Sequence, residues 1–170
     1  MARPVAPVRG DAEEVFRREY PQLVAIARRV LGSSAHAEDI AQDAFISFLR
    51  SSVPPDRARA WLASAAAHTA LNQIRSDRRR ERRESLVVPR EDPAPDTADL
   101  VAGEADRARV RASLAGLPRT QAVVLVLRHS GMSYQEIATA VGISASSVGT
   151  TLRRAEARMR KELTDDDARD

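Results

Sequence analysis

Residues 133–163 read SYQEIATAVGISASSVGTTLRRAEARMRKEL. Ile137, Ala138, Val141, Gly142, Ile143, Val148 and Leu152 stand where two short helices joined by a tight turn need apolar or small residues. Ser133 followed by Glu136 predicts a capping box at the first helix start. Gly142 supplies the left-handed conformation that ends this helix, and Ser144 is placed to cap the next. Ala138 is small where the second helix must cross closely. An ordinary helical hairpin would share this apolar pattern. The outward residues of the second helix, Ser146, Ser147, Gly149, Thr150, Arg153 and Arg154, favour a DNA-binding helix–turn–helix. Small polar residues at its start can enter a major groove, and arginines further along can reach phosphates or guanine edges. Beyond them, Arg158 and Lys161 read as a solvated face.

Working upstream, Val110, Leu114 and Leu117 form a short apolar edge, and Pro118 opens a helix containing Val123, Val124, Val126 and Leu127. This half is expected to run from Asp106 to Leu163, followed by an acidic tail, residues 164–170. Before it, Glu84 to Asp106 holds seven acids, one base (Arg90) and three prolines. That composition predicts a flexible acidic linker over 84–105.

The N-terminal half is also periodic. After a lead-in over 1–10 expected to be disordered, Asp11 is a candidate N-cap. Phe16, Tyr20, Leu23, Ala27 and Val30 then recur at helical spacing as far as Gly32. Ser33 or Ser34 can cap a second helix with Ala37, Ile40, Ala41, Ala44, Phe45, Phe48 and Leu49 on one face. Glu38, Asp39, Gln42 and Asp43 lie on the other. Pro55 opens a third helix carrying Trp61, Leu62, Ala65, Ala66, Thr69 and Ile74. Its end holds six arginines between Arg75 and Arg83. They can serve as a phosphate-binding ridge or as a solvated run, and the neighbouring helix–turn–helix favours the ridge. On an apolar stripe, Trp61 reads as core. The domain is expected to span 11–83.

Composition agrees. Hydrophobic residues make up 43% of the 170 and aromatics 4%, with 7 glycines. Cores must therefore be built from Ala, Val, Leu and Ile, which favours helices. The predicted fold class is all-α: two small helical domains, the second containing the helix–turn–helix. With no cysteine, disulfides, thiolate metal sites and cysteine nucleophiles are excluded. There is no signal-peptide pattern and no apolar run near the roughly 18 residues of a membrane span. A soluble cytoplasmic protein without membrane insertion is expected. No nucleophile–base pair, phosphate-binding glycine loop or metal cluster is legible, so neither catalysis nor a cofactor is expected.

Two stretches of the first half, FRREYPQLVAIARRVLGSSAHAEDIAQDAFISFL and RARAWLASAAAHTALNQIRSDRRR, resemble region 2 of extracytoplasmic-function sigma factors. The second half, LAGLPRTQAVVLVLRHSGMSYQEIATAVGISASSVGTTLRRAEARMRKEL, resembles region 4. The resemblance implies an alternative sigma factor that binds core RNA polymerase, directs it to promoters and assists melting. It places Glu38, Asp39, Gln42 and Asp43 against the coiled coil of the polymerase's largest subunit. It assigns the minus-10 element to Ser51, Ser52, Arg57, Arg59, Trp61, His68, Asn72, Arg75, Arg78 and Arg79, and the minus-35 element to the outward residues of the last helix. The linker would thread toward the polymerase's RNA channel, and an anti-sigma factor is an expected partner.

The sequence also departs from the family pattern. Ala66, Ala67 and His68 replace a frequent Ala-Arg-Asn, and Val148 to Leu152 replaces a frequent Val-Lys-Ser-Arg-Leu, losing two cations near the groove. Gly149 costs a helix roughly 1 kcal/mol relative to Ala, which points to close backbone approach or to tolerance of mismatch. Two other readings remain at this stage. One is a stand-alone regulator binding duplex operators. The other is a helical metalloenzyme using His36, Asp39 and Asp43, whose helical spacing would suit metal ligands.

Overall fold

The computed structural model describes residues 9–32, 36–84 and 98–167. All regular structure among them is helical: α1 (Arg9–Leu31), α2 (Ala37–Leu49), a 3-10 turn (Pro55–Arg57), α3 (Ala58–Glu84), α4 (Ala98–Gly116), α5 (Arg119–His129), α6 (Tyr134–Val141) and α7 (Ala145–Asp167). The first three helices pack on one another, and α5, α6 and α7 form a second group closed by α4.

In the first group, α3 presents Ala58, Ala63, Ala66, Ala67 and Ala70, all essentially inaccessible, to its neighbours. Alanine keeps helix propensity high and lets backbones approach closely. The larger volumes come from Leu23, Ile26, Phe48, Leu62 and Leu71. The predicted stripe of α1 is rotated from expectation. Val15, Leu23, Ile26, Ala27 and Val30 are buried, whereas Phe16 is 39% exposed. Phe16 instead stacks on Tyr20 and meets the edge of Phe45 at 4.9 Å between centroids. Glu19 takes the apolar position that Phe16 gives up. It is 2% exposed and pairs with Arg18 Nε at 2.7 Å. A carboxylate in a buried stripe is invisible to a hydrophobic pattern, so the sequence reading passed over it. Leu49, also placed on a buried face, is exposed at the end of α2.

Element boundaries differ at several points. Helix α1 starts at Arg9, so Asp11 lies in its first turn rather than at its cap. The residue before α2 is His36, which makes no side-chain cap bond; the suggested caps Ser33 and Ser34 lie outside the described residues. Pro55 opens the 3-10 turn, and the α-helix begins at Ala58. Helix α4 begins at Ala98, inside the expected linker, since Ala98–Gly103 carries no proline to prevent it. Residues 85–97, the rest of that linker, lie outside the described residues. Helix α7 continues to Asp167, into the expected tail.

The helix–turn–helix forms as its sequence requires. Glu136 N–H donates to Ser133 Oγ, and Ser133 N–H donates to Glu136 Oε2 at 2.8 Å. Gly142 adopts φ 74° and returns its N–H to the Ala138 carbonyl. Ser144 Oγ accepts from Ser147 N–H at 3.2 Å. The bonds to Ser133, joined by Arg59, hold the Glu136 carboxyl below its ordinary value. A depressed carboxylate contributes stability above its unfolded value and loses it as pH falls through the folded one. Ser133→Ala is expected to cost about 1 kcal/mol in urea unfolding at neutral pH; alanine keeps the backbone N–H that is the main cause of the lowered Glu136 value, so most of the acid-sensitive stability should remain in the variant.

Candidate nucleic-acid and polymerase interfaces

Three surfaces carry the predicted residues. On α2, Ile40, Ala41, Ala44, Phe45 and Phe48 are buried, which turns Glu38, Asp39, Gln42 and Asp43 outward. Alongside them, Ile46 is 44% exposed. The four polar side chains make no ion pair among the described residues. Glu38 and Asp39 occupy the first turn of the helix, where negative charge suits the dipole. The result is a rigid, solvated acidic face, suited to a basic protein surface. Among the described residues no three His, Asp or Glu side chains gather into a metal-binding group, so the metalloenzyme reading has no geometric support there.

The second surface runs from the α2–α3 connection along α3, and its residues are more engaged than the sequence implied. The Ser51 hydroxyl donates to the Phe48 carbonyl at 2.7 Å and accepts from Val53 N–H, so it shapes the loop. Ser52 and Arg57 are exposed. Trp61 is half-buried, its ring 6.0 Å from that of Phe48. It belongs largely to the core yet borders the loop. Arg59 reaches across to α6, donating from Nε to Glu136 Oε1 at 2.6 Å, with buried Glu19 at 3.7 Å on its other side. Asn72 accepts from Arg119 of α5. Arg75 donates to the carbonyls of Ala115 and Leu117, and Arg78 to that of Ala112. Among the described residues, Arg79 alone of the four α3 candidates from Asn72 onward is exposed with no side-chain hydrogen bond or ion pair to the second group of helices. His68 is half-buried, and its Nδ1 has no hydrogen-bond partner among the described residues. Burial, then the charges of Arg119 and Arg75, hold its imidazole below the ordinary value and therefore neutral.

The third surface is the outer face of α7. Val148, Leu152 and Ala155 are buried, leaving Ser146, Ser147, Thr150, Arg153 and Arg154 exposed. Of these, Ser146, Thr150 and Arg153 line an open groove with Gly149, Glu156, Arg128, His129, Gly131 and Tyr134; the last four are not among the residues that the sequence pattern assigns to this surface. Tyr134 is 42% exposed, and the Arg128 guanidinium lies 5.5 Å from its ring centroid. Only the fold brings the end of α5 beside α7, so no local signal could have found Arg128. Gly149 faces Tyr134: a Cβ there would sit 3.4 Å from the ring edge. That is ordinary contact distance, so the contact with Tyr134 does not require glycine at this position. Gly149→Ala is expected to raise the thermal midpoint, since Ala gains up to about 1 kcal/mol in a helix interior. A lower midpoint would mean that Tyr134 cannot yield.

Comparison with known proteins agrees with this geometry. The description of sigma-70 region 2 matches residues 15–80, and that of sigma-70 region 4 matches residues 107–159. An RNA polymerase sigma-E factor of Streptomyces avermitilis is 34% identical over 155 residues, covering 90% of this chain and 85% of that protein. The RNA polymerase sigma factor YlaC of Bacillus subtilis is 30% identical over 166 residues, covering 92% and 94%. Among solved structures, CnrH in complex with the cytosolic domain of CnrY superimposes with a TM-score of 0.58 at 26% identity, covering 91% of this chain and 88% of that one. The sigma factor RpoE of Bartonella quintana, in complex with the anti-sigma factor NepR, gives 0.54 at 25%, covering 89% and 96%. The chain belongs to the sigma-70 family, in its extracytoplasmic-function group. Its function is that of an alternative sigma factor, a protein of transcription initiation. No helix among the described residues is long and apolar enough to cross a membrane.

Proposed function

We propose that the two groups of helices divide the work of initiation. Glu38, Asp39, Gln42 and Asp43 dock on core RNA polymerase. The segment from Ser51 to Trp61, with Ser52, Arg57 and Arg59, captures an unstacked base of the minus-10 element. Unstacking costs a few kcal/mol, offset by the pocket and by phosphate contacts from His68, Asn72, Arg75, Arg78 and Arg79. Ser146, Ser147, Gly149, Thr150, Arg153 and Arg154 read the minus-35 element in the major groove. The protein acts in the cytoplasm, makes and breaks no covalent bond itself and uses no cofactor. An anti-sigma factor is a further partner, a reading supported by the two complexes to which this chain is similar.

The observation that carries this reading is the pairing, in one chain, of a solvent-facing acidic face on α2, without ion pairs among the described residues, with a doubly capped helix–turn–helix whose outer face carries polar and basic residues. The test is run-off transcription with core polymerase on a promoter library. Start sites that appear only when this protein is added support the reading. Failure to bind core polymerase, together with salt-sensitive binding to duplex DNA alone, would favour a stand-alone regulator. In the same assay Arg153→Ala is expected to weaken promoter recognition by about 1–3 kcal/mol, with a flatter salt dependence if its partner is a phosphate.

A further inference from the structure

We propose that Glu19 is a positioning residue for promoter capture: from inside α1 it fixes the guanidinium of Arg59 beside the loop assigned to the minus-10 element. This rests on the assignment of Arg59 to promoter contacts.

Glu19 occupies the buried stripe of α1, between Val15 and Leu23, and is itself 2% exposed. A carboxylate taken out of water costs free energy that an apolar side chain of similar volume would not. The fold alone therefore gives no reason for it. Its two oxygens are divided between two arginines. Oε1 accepts from Arg18 Nε at 2.7 Å, and Oε2 faces Arg59 Nη1 at 3.7 Å. The Arg18 and Arg59 side chains are about half exposed, at 52% and 46%. Each is thus anchored by a buried charge and still reaches the surface.

Arg59 is the second residue of α3, directly after the 3-10 turn that ends the loop. Helix α1 packs against both that turn and α3, so Glu19 lies behind the loop. The Nε edge of the same guanidinium takes an anionic oxygen, that of Glu136 at 2.6 Å. A phosphate oxygen asks for the same geometry. A free arginine at the foot of a loop would lose rotamer freedom on meeting DNA, and a charge beneath it removes much of that cost in advance. Because Glu19 is sealed from water, salt screens its attraction for Arg59 less than that of a pair on the surface.

The test uses holoenzyme assembled with core polymerase, and a forked DNA whose single-stranded minus-10 segment comes from a start site found in the library. Glu19→Leu removes the carboxylate at similar volume and should leave the urea midpoint unchanged or higher. Its affinity for the forked DNA is expected to fall about threefold to tenfold. Coulomb's law alone predicts the opposite, since the variant loses a negative charge near phosphates. Arg59→Ala should weaken binding at least as much and flatten the salt dependence. Glu19→Leu combined with Arg59→Ala should bind no more weakly than Arg59→Ala alone, because both act through one contact. Glu19→Gln serves if the leucine variant does not fold. Native or tighter binding by the Glu19 variant, or losses that add in the double variant, overturns the proposal and leaves the role of Arg59 standing. Native affinity in Arg59→Ala overturns both, while the sigma-factor function remains.

Discussion

Reversing both exposed aspartates of α2, Asp39→Arg with Asp43→Arg, is expected to weaken binding to core RNA polymerase by at least about a hundredfold. Like charges brought together across an interface cost several kcal/mol, and each 1.4 kcal/mol is a factor of ten. Both side chains stand on a face whose opposite side is packed into the core, so the backbone has no easy route to move them away. The fold should survive. Asp39 lies in the first turn, so its reversal also loses about 0.3–1 kcal/mol of favourable dipole interaction. Asp43 lies further along, and its single reversal should change stability by no more than about 0.5 kcal/mol. Direct binding to core polymerase and urea unfolding, done on the same samples, separate the two effects. Wild-type affinity in the double reversal would remove α2 from the polymerase interface.

The legible parts of the sequence were those where one residue type at one spacing has a single structural use. Ser133, Glu136 and Gly142 are of that kind, and the helix–turn–helix formed around them as expected. The acidic face of α2 was legible too, because the buried positions between its acids left only one way for the helix to turn. Glu19 was not: its burial depends on Arg18 beside it and Arg59 from another helix, and no window of α1 contains Arg59. The engagement of Arg75 and Arg78 was equally hidden. An arginine run looks the same whether it awaits phosphate or already holds the carbonyls of a distant helix. The start of α4 at Ala98, inside the expected linker, was not legible, because acid content and the prolines before it set the composition of a window that the helix partly occupies.

Phe48→Ala should have the largest effect on the fold, about 3–5 kcal/mol, a large part of the 5–15 kcal/mol that holds an ordinary domain together. Phe48 is fully buried between Phe45 and Trp61, with ring centroids 6.0 Å away on each side. Its carbonyl also accepts from the Ser51 hydroxyl and Ser51 N–H, which start the loop toward Arg57. The cavity would therefore open beneath the segment assigned to minus-10 capture. Trp61 is the only tryptophan, so its fluorescence reports this directly: emission should shift to the red before global unfolding in urea. Phe48→Leu, which keeps most of the volume, should cost less while still loosening Trp61. Open-complex formation in that variant, followed on a pre-melted and on a duplex promoter, then decides between two roles. A defect on both templates would mean that the loop needs Phe48 to hold its base-binding shape. A defect on duplex alone would place the role of this support in strand separation itself.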